Sequence, residues 1–212
     1  MSDLWLFDND GTLYDDGAAY SQFVDLLLAF ILSMPGIDET SRQQLILALK
    51  NKKAVTATLF ALCRDHGLDF NKTVDATFLK IDLGQCQLVS PDLVRKRGLE
   101  NIQAEKVVFT NNASAYARQV LRYVGLETCF SRIIGVQEMG GLSKSDLKAF
   151  QFVQKLFPGR EIYFCDDKRE FLDPARELGW HTIWYHPTFE GNPDLVPHRI
   201  IRSFQELALV NG

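Results

Sequence analysis

Asp8 and Asp10, the run Thr110-Asn111-Asn112, Lys144, and the pair Asp166-Asp167 are the residues of this chain whose types and spacing suit chemistry. Carboxylates, a hydroxyl beside amides, and a lysine are the groups that handle a hydrated divalent cation and a phosphate; an apolar ligand would need none of them. Asp8 and Asp10 stand two apart directly after Leu4-Trp5-Leu6-Phe7. On extended backbone both would face one way while Asn9 points elsewhere. Each group alone also has a plainer reading. Asp-Asn-Asp-Gly is ordinary turn chemistry, Thr110-Asn111-Asn112 can cap a helix, Lys144 can be a solvated surface residue, and Asp166-Asp167 can be an acidic pair at a helix start. Their common position at the ends of apolar runs is what joins them.

The elements that must position these residues follow from patterning. Leu4-Trp5-Leu6-Phe7 reads as a short buried strand. From residue 17 to about residue 80 the apolar spacing is helical, with Phe23, Leu27, Phe30 and Ile31 on one stripe and Leu45, Leu49, Val55, Leu59 and Leu62 following; Pro35-Gly36 and Gly67 break it into three or four helices. After Pro91 strands and helices alternate: strands at 106–109, 132–134, 161–165 and 182–185, and helices at 113–124, from Ser145 or Asp146 to about 157, and at 170–178. Repeated strand–helix units mean a parallel sheet with helices on both faces, and ligands bind beyond the carboxyl ends of such strands. The predicted fold class is therefore α/β, a Rossmann-like parallel sheet interrupted after its first strand by an all-helical insertion.

Length and composition agree. The chain has 212 residues, 46% apolar and 24% charged, with a net charge of −4. That is globular composition, not disorder or a disulfide miniature, and it argues against a broad nucleic-acid footprint. The longest apolar stretch, 26–32, is too short to span a bilayer, and the N-terminus lacks the layout of a signal peptide. Cys63, Cys86, Cys129 and Cys165 are scattered, with no zinc spacing. They read as free thiols in a reducing compartment, and the expected location is cytoplasmic. An EF-hand fails on position: counting from Asp8, the sixth place is Leu13 and the twelfth Ala19.

With these residues in hand, Phe7-Asp8-Asn9-Asp10-Gly11-Thr12-Leu13-Tyr14 resembles the first motif of the haloacid-dehalogenase-like (HAD) hydrolase superfamily. Phe109-Thr110-Asn111 is similar to its second motif, Lys144 with Ser-Asp-Leu-Lys-Ala-Phe to its third, and Phe164-Cys-Asp-Asp167 with Ala175-Arg176-Glu-Leu-Gly179 to its acidic fourth. The four occur in the family's order, and the likeness spans residues 1–14 and about 86–190. It implies a catalytic core of residues 1–14 and 86–212 and a helical cap domain of residues 15–85.

The resemblance implies a Mg²⁺-dependent phosphomonoester hydrolase. Asp8 would be the nucleophile, forming an aspartyl-phosphate, and Asp10 the general acid and base. Thr110, Asn111 and Lys144 would bind the phosphoryl group, Lys144 also neutralising transition-state charge. Mg²⁺ would be held by Asp8, the backbone oxygen of Asp10, Asp166 and a last ligand that is Asp167, Glu170 or water, with Asp167 favoured for its place beside Asp166. Ser145 stands where the family often has proline, and Glu170 and Phe171 where many members carry another polar residue. The halide-removing members lack an aspartate at the place of Asp10, so its presence implies phosphoryl transfer.

Within the superfamily the chain looks most like the pyrimidine 5′-nucleotidase-like branch, which implies a small phosphorylated metabolite such as a nucleoside 5′-monophosphate. Phosphoglycolate phosphatases, sugar-phosphate phosphatases and phosphomutases share the same core. A non-catalytic metal- or phosphate-binding regulator is the alternative of another class. Tyr14, Tyr20 and Phe23 either stack on a base or sugar or belong to the packing, and Lys52 and Lys53 either bring positive charge over a phosphorylated substrate or are solvated. His66, His181, His186 and His198 have no partner spacing, and Trp180, Trp184 and Tyr185 read as sheet packing. No nucleic-acid polymer or membrane partner is expected, and the oligomeric state is not readable.

Overall fold

A computed structural model describes residues 3–33, 37–51 and 54–210; Pro35, Gly36, Lys52 and Lys53 lie outside the described residues. Six strands form one sheet in the order β3-β2-β1-β4-β5-β6, every neighbouring pair parallel. They are β1 (Leu4–Phe7), β2 (Glu105–Phe109), β3 (Arg132–Ile134), β4 (Ile162–Asp166), β5 (His181–Tyr185) and β6 (Arg199–Ile201). Strand order reverses between β1 and β4, which makes the crevice beyond their carboxyl ends the natural ligand position.

β1 shows why the apolar run becomes a central strand. Its alternate residues serve opposite faces: Trp5 and Phe7 join one hydrophobic core, Leu4 and Leu6 the other, and none of the four is exposed. Phe7 lies beside Val108 on one flank and Cys165 on the other, so Asp8 is the first residue past the paired run on both sides.

The insertion after β1 holds, among the described residues, α1 (Gly17–Ser33), α2 (Glu39–Lys50), α3 (Val55–Asp65) and α4 (Phe70–Ala76), followed by two short 3-10 turns at Phe78–Lys80 and Leu83–Cys86. The side chains of Asp38 and Asp69 cap α2 and α4 by accepting from main-chain amides of the first turn. Their apolar faces, including Leu27, Leu45, Leu49, Leu59 and Phe78, are continuous with the core beneath Trp5 and Phe7.

The rest of the chain is α5 (Leu93–Glu100), α6 (Ser114–Tyr123), α7 (Leu147–Leu156) and α8 (Arg169–Glu177), with further 3-10 turns. The expected strands and helices after Pro91 are all present, with ends moved by one or two residues. Pattern reading missed α5, β6 and the 3-10 turn Phe204–Leu209. Leu93 and Val94 are 53% and 52% exposed, which breaks the one-sided spacing of α5. That helix is held instead by Gly98, where a Cβ would lie only 2.3 Å from the Phe204 carbonyl oxygen. β6 carries the same Arg-Ile-Ile sequence as β3.

No helix among the described residues is long and apolar enough to cross a membrane. All four cysteines are free thiols, Cys129 half-buried and the others buried.

Candidate active site

The loop after β1 is shaped by its own backbone. The Asp8 amide donates to Cys165 O at 2.9 Å, carrying the pairing one residue past the strand. The Leu13 amide then donates to Asn9 O at 2.9 Å and the Gly11 amide to Tyr14 O at 3.0 Å, turning the chain back. Gly11 has φ +82°, and a Cβ there would sit 2.6 Å from Asp167 Oδ2, so conformation and space both require glycine. Thr12 is fully buried. Its hydroxyl accepts from the Asp167 amide at 3.0 Å and donates to Asp167 Oδ1 at 3.3 Å, fastening the β1 loop to the β4 loop. The Trp184 indole donates to Asp167 O at 2.9 Å from the other side. Trp184 was expected only to pack; it also positions an acid.

Lys144 reaches the site after Gly140 and Gly141, both at positive φ. Its amide donates to Asn111 Oδ1 at 2.6 Å. Its Nζ lies 2.5 Å from Asp8 Oδ1 and 2.6 Å from Asp166 Oδ2, and the side chain is 1% exposed. The ammonium sits over the rings of Phe171, Phe164 and Phe109, so the two carboxylates are what hold its charge in an apolar surround. Burial alone would lower its pKa; Asp166 and Asp8 more than offset that and keep it above the ordinary lysine range.

The acids are strained the other way. Burial pushes Asp8 up to about 7, helped by Asp166 and Asp10 and opposed by Lys144. Burial and the nearby Asp8 push Asp167 up to about 7, and burial raises Asp166 as well. One carboxylate oxygen from each of Asp8, Asp166 and Asp167 lies within 4.8 Å of the others. That spacing compares with the ~4.2 Å between opposite ligands of an octahedron with ~2.1 Å bonds. Asp166 is occupied on both oxygens, by Lys144 and by the Lys168 amide at 2.8 Å. Among the described residues, no hydrogen bond reaches Asp8 Oδ2 or Asp167 Oδ2. Three hard oxygen donors with surplus negative charge and two uncommitted oxygens fit a small divalent cation. Glu170 is exposed on the first turn of α8 and outside this cluster.

Asp10 is gripped by three donors. The Tyr14 hydroxyl donates to Oδ1 at 2.5 Å, Asn112 Nδ2 to Oδ1 at 3.1 Å, and the Thr110 hydroxyl to Oδ2 at 3.2 Å. The Asn112 amide donates to Thr110 Oγ1 at 3.0 Å, fixing that hydroxyl in turn. Asn112 Oδ1 accepts from Thr56 of α3 at 3.3 Å. Phe60, also on α3, packs where Gly141 leaves room, since a Cβ there would be 2.8 Å from the ring.

All the sequence-selected groups thus stand at one end of the sheet, but their contacts differ in detail from the simple reading. Asn111, expected on the phosphoryl group, holds the Lys144 backbone. Stacking by Tyr14 and Phe23 is overturned by burial: Tyr14 is 3% exposed with its hydroxyl committed to Asp10, and Phe23 is 6% exposed against Phe78. Tyr20 is half-buried and donates to Leu49 O at 3.0 Å. Tyr14 and Asn112 as partners of Asp10 were not foreseen; their signal was only that they flank Asp10 and Thr110 in sequence. Among the described residues, no hydrogen bond joins a histidine to Asp8, Asp10, Asp166 or Asp167; His198, for instance, lies between Thr182 and Asp173. A cavity of about 750 Å³ near Leu79, Leu83 and Tyr123 shares no lining residue with this cluster.

By sequence the chain matches no family model and no curated protein. By structure it resembles a HAD phosphatase from Thermococcus onnurineus (TM-score 0.64, 18% identity, 100% of this chain and 98% of that one). It also resembles a 2-haloacid dehalogenase from Pseudomonas syringae pv. tomato (TM-score 0.62, 20% identity, 100% and 98%). A third similar structure is a Bacillus subtilis protein assigned as a HAD-hydrolase, bound to magnesium (TM-score 0.58, 20% identity, 99% and 98%). At these identities the likeness is one of architecture, and it covers the whole length of each chain: the protein has the α/β HAD-like fold.

Proposed function

We propose that the protein is a Mg²⁺-dependent phosphomonoester hydrolase that works through a phosphoryl group carried on Asp8. The observation that carries this reading is the buried contact of Lys144 with both Asp8 and Asp166, with a second carboxyl, Asp10, held two residues from Asp8. The similar structures include both phosphatases and dehalogenases, so fold does not choose between them. Asp10 supports the phosphatase reading: a dehalogenation needs no proton donor on an alkoxide, whereas phosphoester cleavage does.

Asp8, the backbone carbonyl of Asp10, Asp166 and Asp167 are the groups that would hold Mg²⁺. When bound, the ion supplies positive charge that favours the carboxylate form of Asp8 and offsets its repulsion of a phosphate. The Bacillus subtilis structure was solved with magnesium, which supports that choice of ion. In the first half-reaction a carboxylate oxygen of Asp8 forms a bond to phosphorus as the ester P–O bond breaks. The bonding pair stays on the leaving oxygen, which takes the Asp10 proton. Lys144, already fixed between two carboxylates, orients Asp8 and offsets charge on the phosphoryl oxygens. In the second half-reaction water attacks phosphorus and gives its proton to Asp10, and the Asp8–phosphorus bond breaks to release inorganic phosphate.

The substrate is a small phosphomonoester. With Tyr14 and Phe23 buried, the case for a nucleoside 5′-monophosphate rests on the sequence resemblance alone. Residues 15–85 act in this reading as a cap over the catalytic core of 1–14 and 86–212, touching it through Thr56 and Phe60. Four free thiols suit a reducing, cytoplasmic setting. The test is hydrolysis of an aryl phosphate by the Asp8→Asn variant: activity is expected to vanish while thermal unfolding stays cooperative, and wild-type turnover by the variant would refute the reading. Recovery of an isomeric phosphate ester with no free phosphate would assign a phosphomutase instead.

A further inference from the structure

Asp10 does not meet its donors evenly. Oδ1 takes two hydrogen bonds, from Tyr14 at 2.5 Å and Asn112 at 3.1 Å, which fill both of its lone pairs. Oδ2 takes one, from Thr110 at 3.2 Å. Behind Tyr14 lies a second tyrosine: the hydroxyls of Tyr14 and Tyr116 are 3.2 Å apart in buried surroundings. The single hydrogen of Tyr14 is spent on Asp10, so Tyr116 must be the donor in that contact. Two hydroxyls in series therefore feed Asp10 Oδ1. The cavity on this side, bordered by Asp10, Tyr14, Asn112 and Tyr116, is about 20 Å³. It has room for about one water and none for a phosphate ester.

We infer that Tyr14, oriented by Tyr116, is a positioning residue that dedicates Asp10 Oδ2 to proton transfer with the leaving group; the inference rests on the phosphohydrolase reading above. In the first half-reaction the Oδ2–H bond breaks, the proton moves to the leaving oxygen, and the electron pair stays on Oδ2. The resulting carboxylate is met at once by the Tyr14 and Asn112 donors on Oδ1, with no rearrangement. When Oδ2 carries the proton, the Thr110 hydroxyl turns its hydrogen away, toward the phosphoryl group, while still accepting from the Asn112 amide. Without the Tyr14 hydroxyl, Asp10 keeps one donor on each oxygen, Asn112 on Oδ1 and Thr110 on Oδ2, and the asymmetry that sets Oδ2 apart is lost.

A leaving group that departs easily needs little help from an acid, whereas an alkoxide needs much. The experiment compares kcat on 4-nitrophenyl phosphate and on a simple alkyl phosphate, at one pH and with Mg²⁺ present, for wild type, Tyr14→Phe, Tyr116→Phe and Asp8→Asn. Tyr14→Phe should lose roughly tenfold more on the alkyl ester than on the aryl ester, a fraction of what a general acid contributes. Tyr116→Phe should move the ratio the same way by less, with KM unchanged in both. An unchanged alkyl-to-aryl ratio in a folded Tyr14→Phe enzyme overturns the inference, because a merely structural hydroxyl would depress both rates alike. If Tyr14→Phe fails to fold, Tyr116→Phe decides by the same ratio, its hydroxyl being one step removed from Asp10. Failure of the underlying reading looks different: wild type inactive on both esters, or Asp8→Asn fully active.

Discussion

Thr12 and Asp167, 155 residues apart, hydrogen-bond each other reciprocally: the hydroxyl takes the Asp167 amide proton and gives its own to the carboxylate. This contact sets the distance between the loops after β1 and β4, and so the spacing of the three acids. Gly11 makes it sterically possible.

Gly11→Ala should therefore damage the site and the fold together. A methyl group would press on the Asp167 carboxylate at 2.6 Å, and φ +82° is strained for alanine. Unfolding free energy should fall by about 1–3 kcal/mol, with loss of activity and weaker Mg²⁺ binding by calorimetry. A variant with unchanged Mg²⁺ affinity would show that the loop contact does not set the site.

Gly98→Ala is the counterpart that separates fold from chemistry. The added Cβ meets the Phe204 carbonyl oxygen at 2.3 Å and touches none of the carboxylates. Chemical denaturation should show a loss of about 1–3 kcal/mol, with kcat per folded molecule unchanged below the transition. A fall in kcat would mean that α5 takes part in catalysis.

Lys144→Met removes the cation shared by Asp8 and Asp166 and leaves two buried carboxylates uncompensated. Stability at neutral pH should drop by about 3–5 kcal/mol. The deficit should shrink at pH 5, because both acids can then fold in protonated form. Denaturation curves at the two pH values check this; an equal deficit at both would place the lysine's contribution in packing.

The raised pKa values give the metal-free protein a distinct pH response. Asp8 and Asp167 stand near 7 when folded, against an ordinary value of 3.8 when unfolded. Between these values the folded state holds more protons, so stability is highest below about pH 4 for these two groups and falls as pH rises through about 7. Melting in chelator should show their contribution lost from about pH 4 to about pH 7, and added Mg²⁺ should raise the melting temperature more at pH 8 than at pH 5. A Mg²⁺ increment that does not grow with pH would contradict the assigned acids.

Much of this arrangement was legible in the residues. Leu4–Phe7 and Arg132–Ile134 are strands at the predicted positions, since a short apolar run closed by polar residues leaves few alternatives in a parallel sheet. Knowing that strand ends share one edge was enough to bring Asp8, Lys144 and Asp166 together. The finer contacts were not legible, because they depend on how a loop curls. Gly11 at positive φ and the Asn9–Leu13 turn swing Asp10 toward Tyr14 and Asn112, and no spacing rule specifies that direction. The same reason puts Asn111 on the Lys144 backbone and Asn112 on the acid. α5 was hidden because a glycine, not an apolar stripe, seats it.

The proposed reaction requires Asp8 to carry the phosphoryl group. Acid quench during turnover of an alkyl phosphate, followed by borohydride reduction and peptide mass spectrometry, measures it directly. Homoserine is expected at position 8, the product of reducing an aspartyl-phosphate there. Turnover with no modification at position 8, or with the phosphoryl group on another residue, would contradict it.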